Sequence, residues 1–388
     1  MKKIFVLVSF LSFNALAVDT FTTLTVEEQR IEKANSTMPA ITKQLSASVD
    51  NFASQLKKAR NYTALTQLVI RHGKQIWQHA VVNFENKQNF DDRPLYWARL
   101  KMTKALRHAP AFKNLLNDQQ AKLLWKFELL SRGGSDIKYN KNATKKILVT
   151  GFDPFFLDRN IAQSNPSGVA ALALDDLFIS TGKESAEIET LMIPVRFADF
   201  DLGIIEELIT PYLKTHQIDM VITISMGRDN FDLERFPALR RSAKAPDNLN
   251  IYTGANKENP LVPRLKNEEF KGDEFVEFSL PAKKMQQANG AYKINLNATV
   301  TTLIEGKTET FAANSLAQIK NQTSVEGSGG GYLSNEISYR TIVLRNQYAP
   351  MLPVGHIHTP RIKTYNSKTN QAIVKQIKAM LTLALEKI

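Results

Sequence analysis

From Lys145 to the C-terminus, short apolar runs alternate with stretches of helical length, and that alternation leaves few folds open to the chain. Ile147-Leu148-Val149-Thr150 and residues 219–225 (D-M-V-I-T-I-S) read as buried strands, with further strands at residues 191–195 and 354–359. Helical periodicity predicts helices over residues 165–178, 200–215, 332–346 and 367–388, the first opened by Asn165-Pro166 with Ser164 or Asn165 as its cap. Strands alternating with helices predict a mostly parallel sheet with helices on both faces, and sites in such sheets collect at the carboxyl ends of strands. Residues 291–313, with the turn Glu305-Gly306-Lys307, read as an added β-hairpin.

Upstream the texture differs. Residues 18–132 read as a small all-helical domain, with helices over 41–56, 62–84 and 94–106 and a turn-rich segment over 112–130. All three tryptophans of the chain (Trp77, Trp97, Trp125) lie here and are expected to pack it together. Residues 133–144 read as a linker. Before all of this, Lys2-Lys3, the apolar run over 4–13 and Ala15-Leu16-Ala17 form the pattern of a cleavable export signal, about half the length a membrane span needs. The expectation is a periplasmic or secreted protein with no transmembrane segment.

The net charge of +12 is unevenly placed: residues 18–146 hold 22 Lys/Arg against 11 Asp/Glu, residues 147–388 hold 26 against 27. The C-terminal part therefore lacks the bulk charge for nucleic-acid binding. The cysteine count of zero excludes disulfides, thiolate metal sites and thiol nucleophiles. No phosphate loop or other cofactor motif is present, so no cofactor is expected.

Three stretches carry chemistry. Gly327-Ser328-Gly329-Gly330-Gly331 runs into the helix at 332–346 and places Ser334 in its first turn, beside N–H groups able to hold an oxyanion; a flexible Gly/Ser linker is the alternative reading. Residues 227–235 (G-R-D-N-F-D-L-E-R) follow a predicted strand and offer Glu234 among arginines, or else a surface ion cluster. Gly355-His356-Ile357-His358-Thr359-Pro360 puts two histidines on one strand face, either a metal pair without an evident third ligand or a base and its neighbour. A serine, a histidine and a glutamate at strand ends suggest a hydrolytic triad of Ser334, His358 and Glu234.

In order along residues 145–388, these stretches resemble the pyroglutamyl peptidase I (pyrrolidone-carboxylate peptidase) family, cysteine peptidases that remove N-terminal pyroglutamate. K-K-I-L-V-T-G-F-D-P-F at 145–155 resembles the family's opening strand and Asn165-Pro166-Ser167 its next motif. Ala243-Lys244-Ala245-Pro246-Asp247-Asn248 resembles A-R-I-P-D-N, Gly330-Gly331-Tyr332-Leu333-Ser334-Asn335 resembles G-T-F-V-C-N, and residues 355–360 resemble G-F-I-H-I-P. The resemblance implies a pyroglutamyl peptidase-like α/β fold and pyroglutamyl peptides as ligands, with assembly into homo-oligomers left open. It implies catalytic Glu234, Ser334 and His358, and makes His356 a bystander. It implies that Phe152 and Tyr332 flank the lactam ring, that Phe155 meets it through its backbone, and that Lys244 and Arg228 contribute to substrate binding.

The sequence departs from the family at four places: Phe156 for a glycine, Lys244 for an arginine, the added hairpin, and Ser334 for the nucleophilic cysteine. Serine needs concerted removal of its proton, because an alkoxide is far less accessible than a thiolate. Two functions follow: a serine hydrolase acting on pyroglutamyl peptides, or a catalytically inactive relative that binds peptide ends or envelope components.

Overall fold

A computed structural model describes residues 21–87, 89–141 and 143–388; the export-signal pattern at 1–17 lies outside them. The C-terminal part is an α/β layer structure. Its main sheet contains β1 (Lys145–Phe152), β2 (Leu177–Ser180), β3 (Ser185–Ile193), β4 (Met220–Met226), β5 (Phe231–Glu234), β6 (Ile294–Asn297) and β7 (Val354–Thr359), in the spatial order β2-β3-β1-β4-β7-β5-β6. The four central strands β3, β1, β4 and β7 are parallel; β2 and β5 join antiparallel to their inner neighbours, and β6 runs parallel to β5. Burial on both faces explains why the central strands read as continuous apolar runs.

Alternate residues of β1 go to opposite faces: Ile147 and Val149 join one apolar cluster, Leu148 the other. The first face is covered by the Pro166–Leu174 and Ser367–Ala384 helices, the second by the Ile204–Lys214 and Leu333–Tyr348 helices.

Several elements differ from the sequence expectation. The helix begun at Pro166 ends at Leu174, where Asp176 takes a left-handed φ of 60°, and Leu177–Ser180 becomes an edge strand instead of more helix. The strand expected over 191–195 begins at Ser185, because its glutamates at 187 and 189 are held by backbone N–H groups of the preceding segment and so tolerate burial. The Thr299–Ile304 and Lys307–Ala312 hairpin turns through Glu305 and Gly306, both at positive φ, and gains a third strand from Thr323–Glu326. Ile294–Asn297, just before it, belongs to the main sheet.

The N-terminal region is helical, with its longest helices at Ser46–Leu56, Tyr62–Lys87, Arg93–His108 and Asn117–Leu130. Its apolar residues are continuous with the first face of the sheet in one core. Trp77 and Trp125 donate from their indole nitrogens to Asp175 (3.1 Å) and Glu207 (2.8 Å) of the α/β part, so they join the two parts as well as packing the helices. The contact is also ionic. Arg99 bonds Glu128 (2.8 Å) and Asp153 (3.1 Å), Arg132 bonds Asp153 (2.7 Å) and Glu128, and Arg196 completes the cluster against Glu128 and Glu27. All six are buried or nearly so, and the three guanidinium groups hold the Glu128 carboxyl far below its ordinary range despite burial. Among the described residues no helix is long and apolar enough to cross a membrane.

Candidate active site

The glycine-rich stretch is a tight, ordered turn. Gly327 and Gly330 exchange backbone hydrogen bonds of 3.0 and 2.9 Å, and Gly330 has a φ of 87° that a side chain would strain. Ser328 ties the turn to Phe236 by two bonds of 2.9 and 3.0 Å. The chain then enters the Leu333–Tyr348 helix through Tyr332, whose extended backbone makes it the N-cap. Ser334 is thus the second helical residue, where backbone N–H groups have no partner inside the helix. Asn335 locks the turn further through 2.7 and 2.9 Å bonds to the backbone of Ala238.

His358 lies on β7, directly paired with Ser225 of β4 and Asp232 of β5. Its Nδ1 is 2.7 Å from Oε1 of Glu234. Gly227 lets the β4 loop pass close, since a Cβ there would lie 2.5 Å from the His358 Cβ. Burial pushes the Glu234 carboxyl upward, opposed by its bonds to His358 and Ser328. Its second oxygen accepts from Asn297 Nδ2 at 2.9 Å, and the same amide donates to the Ser328 carbonyl at 2.8 Å. With the carboxylate on Nδ1–H, Nε2 is the nitrogen left to act as base. A carbon added at Gly329 would sit 3.5 Å from His358 Cε1 and 3.7 Å from Glu234 Cγ, while the Gly329 carbonyl accepts from the Ser334 hydroxyl at 3.3 Å. The turn therefore brings serine, histidine and glutamate around one glycine, with the hydroxyl turned to Gly329 and not to the imidazole.

A cavity of about 600 Å³ opens beside them, lined by Phe152, Phe155, Tyr332, Ser334 and Ser225 among others. Phe152 is buried and stacks on Phe200 at 6.3 Å. Tyr332 is fixed by an edge contact to Phe197 (5.4 Å) and a 2.8 Å bond from its hydroxyl to Pro246 O. Phe156, at the glycine position of the resembled family, adopts a φ of 59° and packs on Phe155 at 4.6 Å. It keeps the glycine-type backbone while adding a ring to the cavity wall.

Neither Glu234 nor His358 lines this cavity, and nor do two other candidates. The Lys244 side chain is 75% exposed and 3.9 Å from Glu258, while its neighbours Ala243 and Ala245 line the cavity. Arg228 lies outside the wall, and its carbonyl accepts from the backbone of Arg361, which does line the cavity. A strand-end loop exposes alternate side chains, so neighbours in sequence need not share a wall.

His356 is fully buried, its two ring nitrogens each 2.7 Å from a hydroxyl, Thr223 at Nδ1 and Ser225 at Nε2. Burial and the adjacent His358 ring, 4.8 Å away, push it far below the ordinary histidine range. With both nitrogens occupied by hydroxyls it is no metal ligand in this arrangement. The sequence reading missed Asn297, Ser328 and Ser225. Asn297 ends β6, with no local pattern to mark it; the pairing of Ser225 with a histidine 131 residues on is visible only once β4 and β7 are adjacent.

The helical region reaches the cavity through Asp92, which accepts from Ser164 Oγ (2.6 Å) and Asn165 N (3.0 Å). Asn165 lines the cavity, donates to Asp153 O at 2.9 Å and caps the Pro166–Leu174 helix through Ser167 N at 3.1 Å. Arg30 likewise donates to Asn248 O at 2.6 Å.

In solved structures, similarity extends to a mutant pyrrolidone carboxyl peptidase of Pyrococcus furiosus (21% identity, 63% of this chain and 99% of that one, TM-score 0.40). It extends also to pyroglutamyl peptidase I of Bacillus amyloliquefaciens (21%, 62% and 97%, TM-score 0.41). In sequence, the chain is 27% identical over 416 residues to the uncharacterized protein PA0049 of Pseudomonas aeruginosa, covering 84% of this chain and 74% of that one. The family model of the PA0049 N-terminal domain matches residues 12–128, and that of the PA0049 C-terminal domain matches residues 146–274 and 292–363. The second match alone spans more than half of the chain, and the chain belongs to the PA0049 family.

Proposed function

We propose that the protein is an exported hydrolase that removes N-terminal pyroglutamate from peptides through Ser334, His358 and Glu234. The observation that carries the reading is the 2.7 Å contact between His358 Nδ1 and the buried Glu234, set beside a helix-opening serine on the wall of one aromatic cavity. The motif resemblance over residues 145–388 names the substrate, and the pattern at residues 1–17 supports export.

In this mechanism the Ser334 hydroxyl swings from Gly329 O toward His358 Nε2 and attacks the carbonyl carbon of the pyroglutamyl residue. His358 takes the hydroxyl proton, and Glu234 steadies the imidazolium. The oxyanion forms beside the open N–H groups of the helix's first turn. Collapse of the tetrahedral intermediate breaks the C–N bond, and His358 passes the proton to the leaving amine. Water, deprotonated by the same imidazole, then releases pyroglutamate from Ser334. Phe152 and Tyr332 flank the ring.

The experiment is release of a fluorophore from a pyroglutamyl amide by the purified mature protein, with Ser334→Ala and His358→Ala beside it. Equal loss in both variants supports the triad; absence of turnover in the parent overturns it. One observation favours the second reading, a binder without turnover: the Ser334 hydroxyl is bonded to Gly329 O. A Ser334→Cys protein that turns over substrate when the parent does not would establish that reading.

A further inference from the structure

The cavity that holds Ser334 carries an unbalanced charge at its rim. Arg159, Arg361 and Lys363 line it, whereas no aspartate or glutamate does among the described residues. The nearest acid in sequence, Asp158, is committed to Arg30 at 2.6 Å. None of the three cations has an ion-pair partner among the described residues; Arg159 rests its guanidinium over the Phe156 ring at 4.7 Å. The three side chains are exposed, on a backbone that is held in place. Gln163, itself buried, donates to Ile362 O (3.2 Å) and Ser164 O (2.8 Å), which fastens the 361–363 segment against the loop bearing Arg159. Arg361 is seated by its backbone bond to Arg228 O.

Arg361 and Lys363 follow His358, the group that would hand a proton to the leaving amine, by three and five residues at the end of β7. Phe152 and Tyr332 on the cavity wall suit a lactam ring, which leaves Arg159, Arg361 and Lys363 of the same wall to meet the rest of the ligand. Resting on the pyroglutamyl reading above, we infer that the preferred ligands carry a carboxylate immediately after pyroglutamate, as an acidic side chain or the free carboxylate of a dipeptide. Guanidinium groups fork onto carboxylates and hold them with charge-assisted bonds.

Calorimetric titration of Ser334→Ala protein separates binding from turnover. Four ligands are compared: amidated pyroglutamyl-glutamate, amidated pyroglutamyl-glutamine, amidated pyroglutamyl-lysine, and pyroglutamyl-glutamine with a free carboxylate. At low salt the two carboxylate ligands should bind about tenfold tighter than amidated pyroglutamyl-glutamine, and the lysine peptide more weakly still, with the differences shrinking as salt is added. In protein also carrying Arg361→Gln and Lys363→Gln the preference should fall to about threefold or less. Charge-blind binding of all four ligands, or a preference that survives the two substitutions, overturns the inference and leaves the pyroglutamyl reading standing. No binding of any ligand overturns both.

Discussion

His358 Nδ1 and Glu234 Oε1 are 2.7 Å apart across two antiparallel neighbours, β7 and β5, with the carboxylate 1% exposed. A carboxylate so buried serves the imidazole by fixing its tautomer and by balancing the charge it acquires. Glu234→Gln keeps the shape and the Asn297 contact but presents no negative charge, so turnover of a pyroglutamyl amide should fall about 10³-fold or more with KM little changed. Steady-state kinetics on the purified variant decides this; an undiminished kcat would remove Glu234 from the mechanism.

Ser334 sits at the second position of its helix, where a thiolate would be favoured by the helix dipole and the adjacent imidazole. Ser334→Cys should therefore gain a thiol that titrates below the usual value of about 8.5, seen as thiolate absorbance or as alkylation already fast at neutral pH. Ser334→Ala should leave pyroglutamyl ligands bound and turnover at background. Loss of binding together with turnover would mean that the hydroxyl is a structural prop.

His356 is buried between two hydroxyls and titrates well below its unfolded value of 6.5. The unfolded chain then takes up a proton below pH 6.5 that the folded chain refuses, so this residue's contribution is intact above pH 6.5 and declines as pH falls from there toward the depressed folded value. The His356→Phe protein should lose less stability than the parent between about pH 7 and pH 5, while being less stable at neutral pH by about 1–3 kcal/mol because Thr223 and Ser225 lose a partner. Chemical denaturation at the two pH values measures both. Parallel pH curves for parent and variant would show that His356 takes up its proton as readily in the fold as in the unfolded chain.

Asp92 comes from the helical region yet holds Ser164 and, on the cavity wall, Asn165. Asp92→Ala leaves buried donors unpaired, which should cost about 2–4 kcal/mol and raise KM for pyroglutamyl substrates. Thermal denaturation and kinetics together test it: a drop in stability with unchanged KM would confine Asp92 to the packing of the two parts.

Much of the architecture was legible because its cause is local. Proline at the first helical position, the apolar run of β4, and a glycine turn opening a helix all announce themselves within a few residues. The edges were harder. Phe231–Glu234 reads as a charged loop, since half of its four residues are acidic, yet it is the strand that presents Glu234 to His358. Leu177–Ser180 was hidden in an apparently continuing helix until Asp176 turned the backbone. Within the site, Ser334, His358 and Glu234 could be singled out by residue type after a strand or at a helix start. Asn297 could not, because its role depends on β6 lying against β5. Lys244 and Arg228 were singled out by motif position; like Glu234 and His358 they do not line the cavity, whose cations are Arg159, Arg361 and Lys363.

The Arg99, Arg132, Arg196, Glu128 and Asp153 cluster ties the two halves of this chain together by buried charge. A fragment begun at Lys145 would carry Asp153 and Arg196 without the opposite charges contributed from residues 99–132, and would lay bare apolar surface that the helices now seal. Any lineage or engineer wishing to dispense with the helical half would have to rewrite the sheet side of the seam in the same stroke, charge for charge.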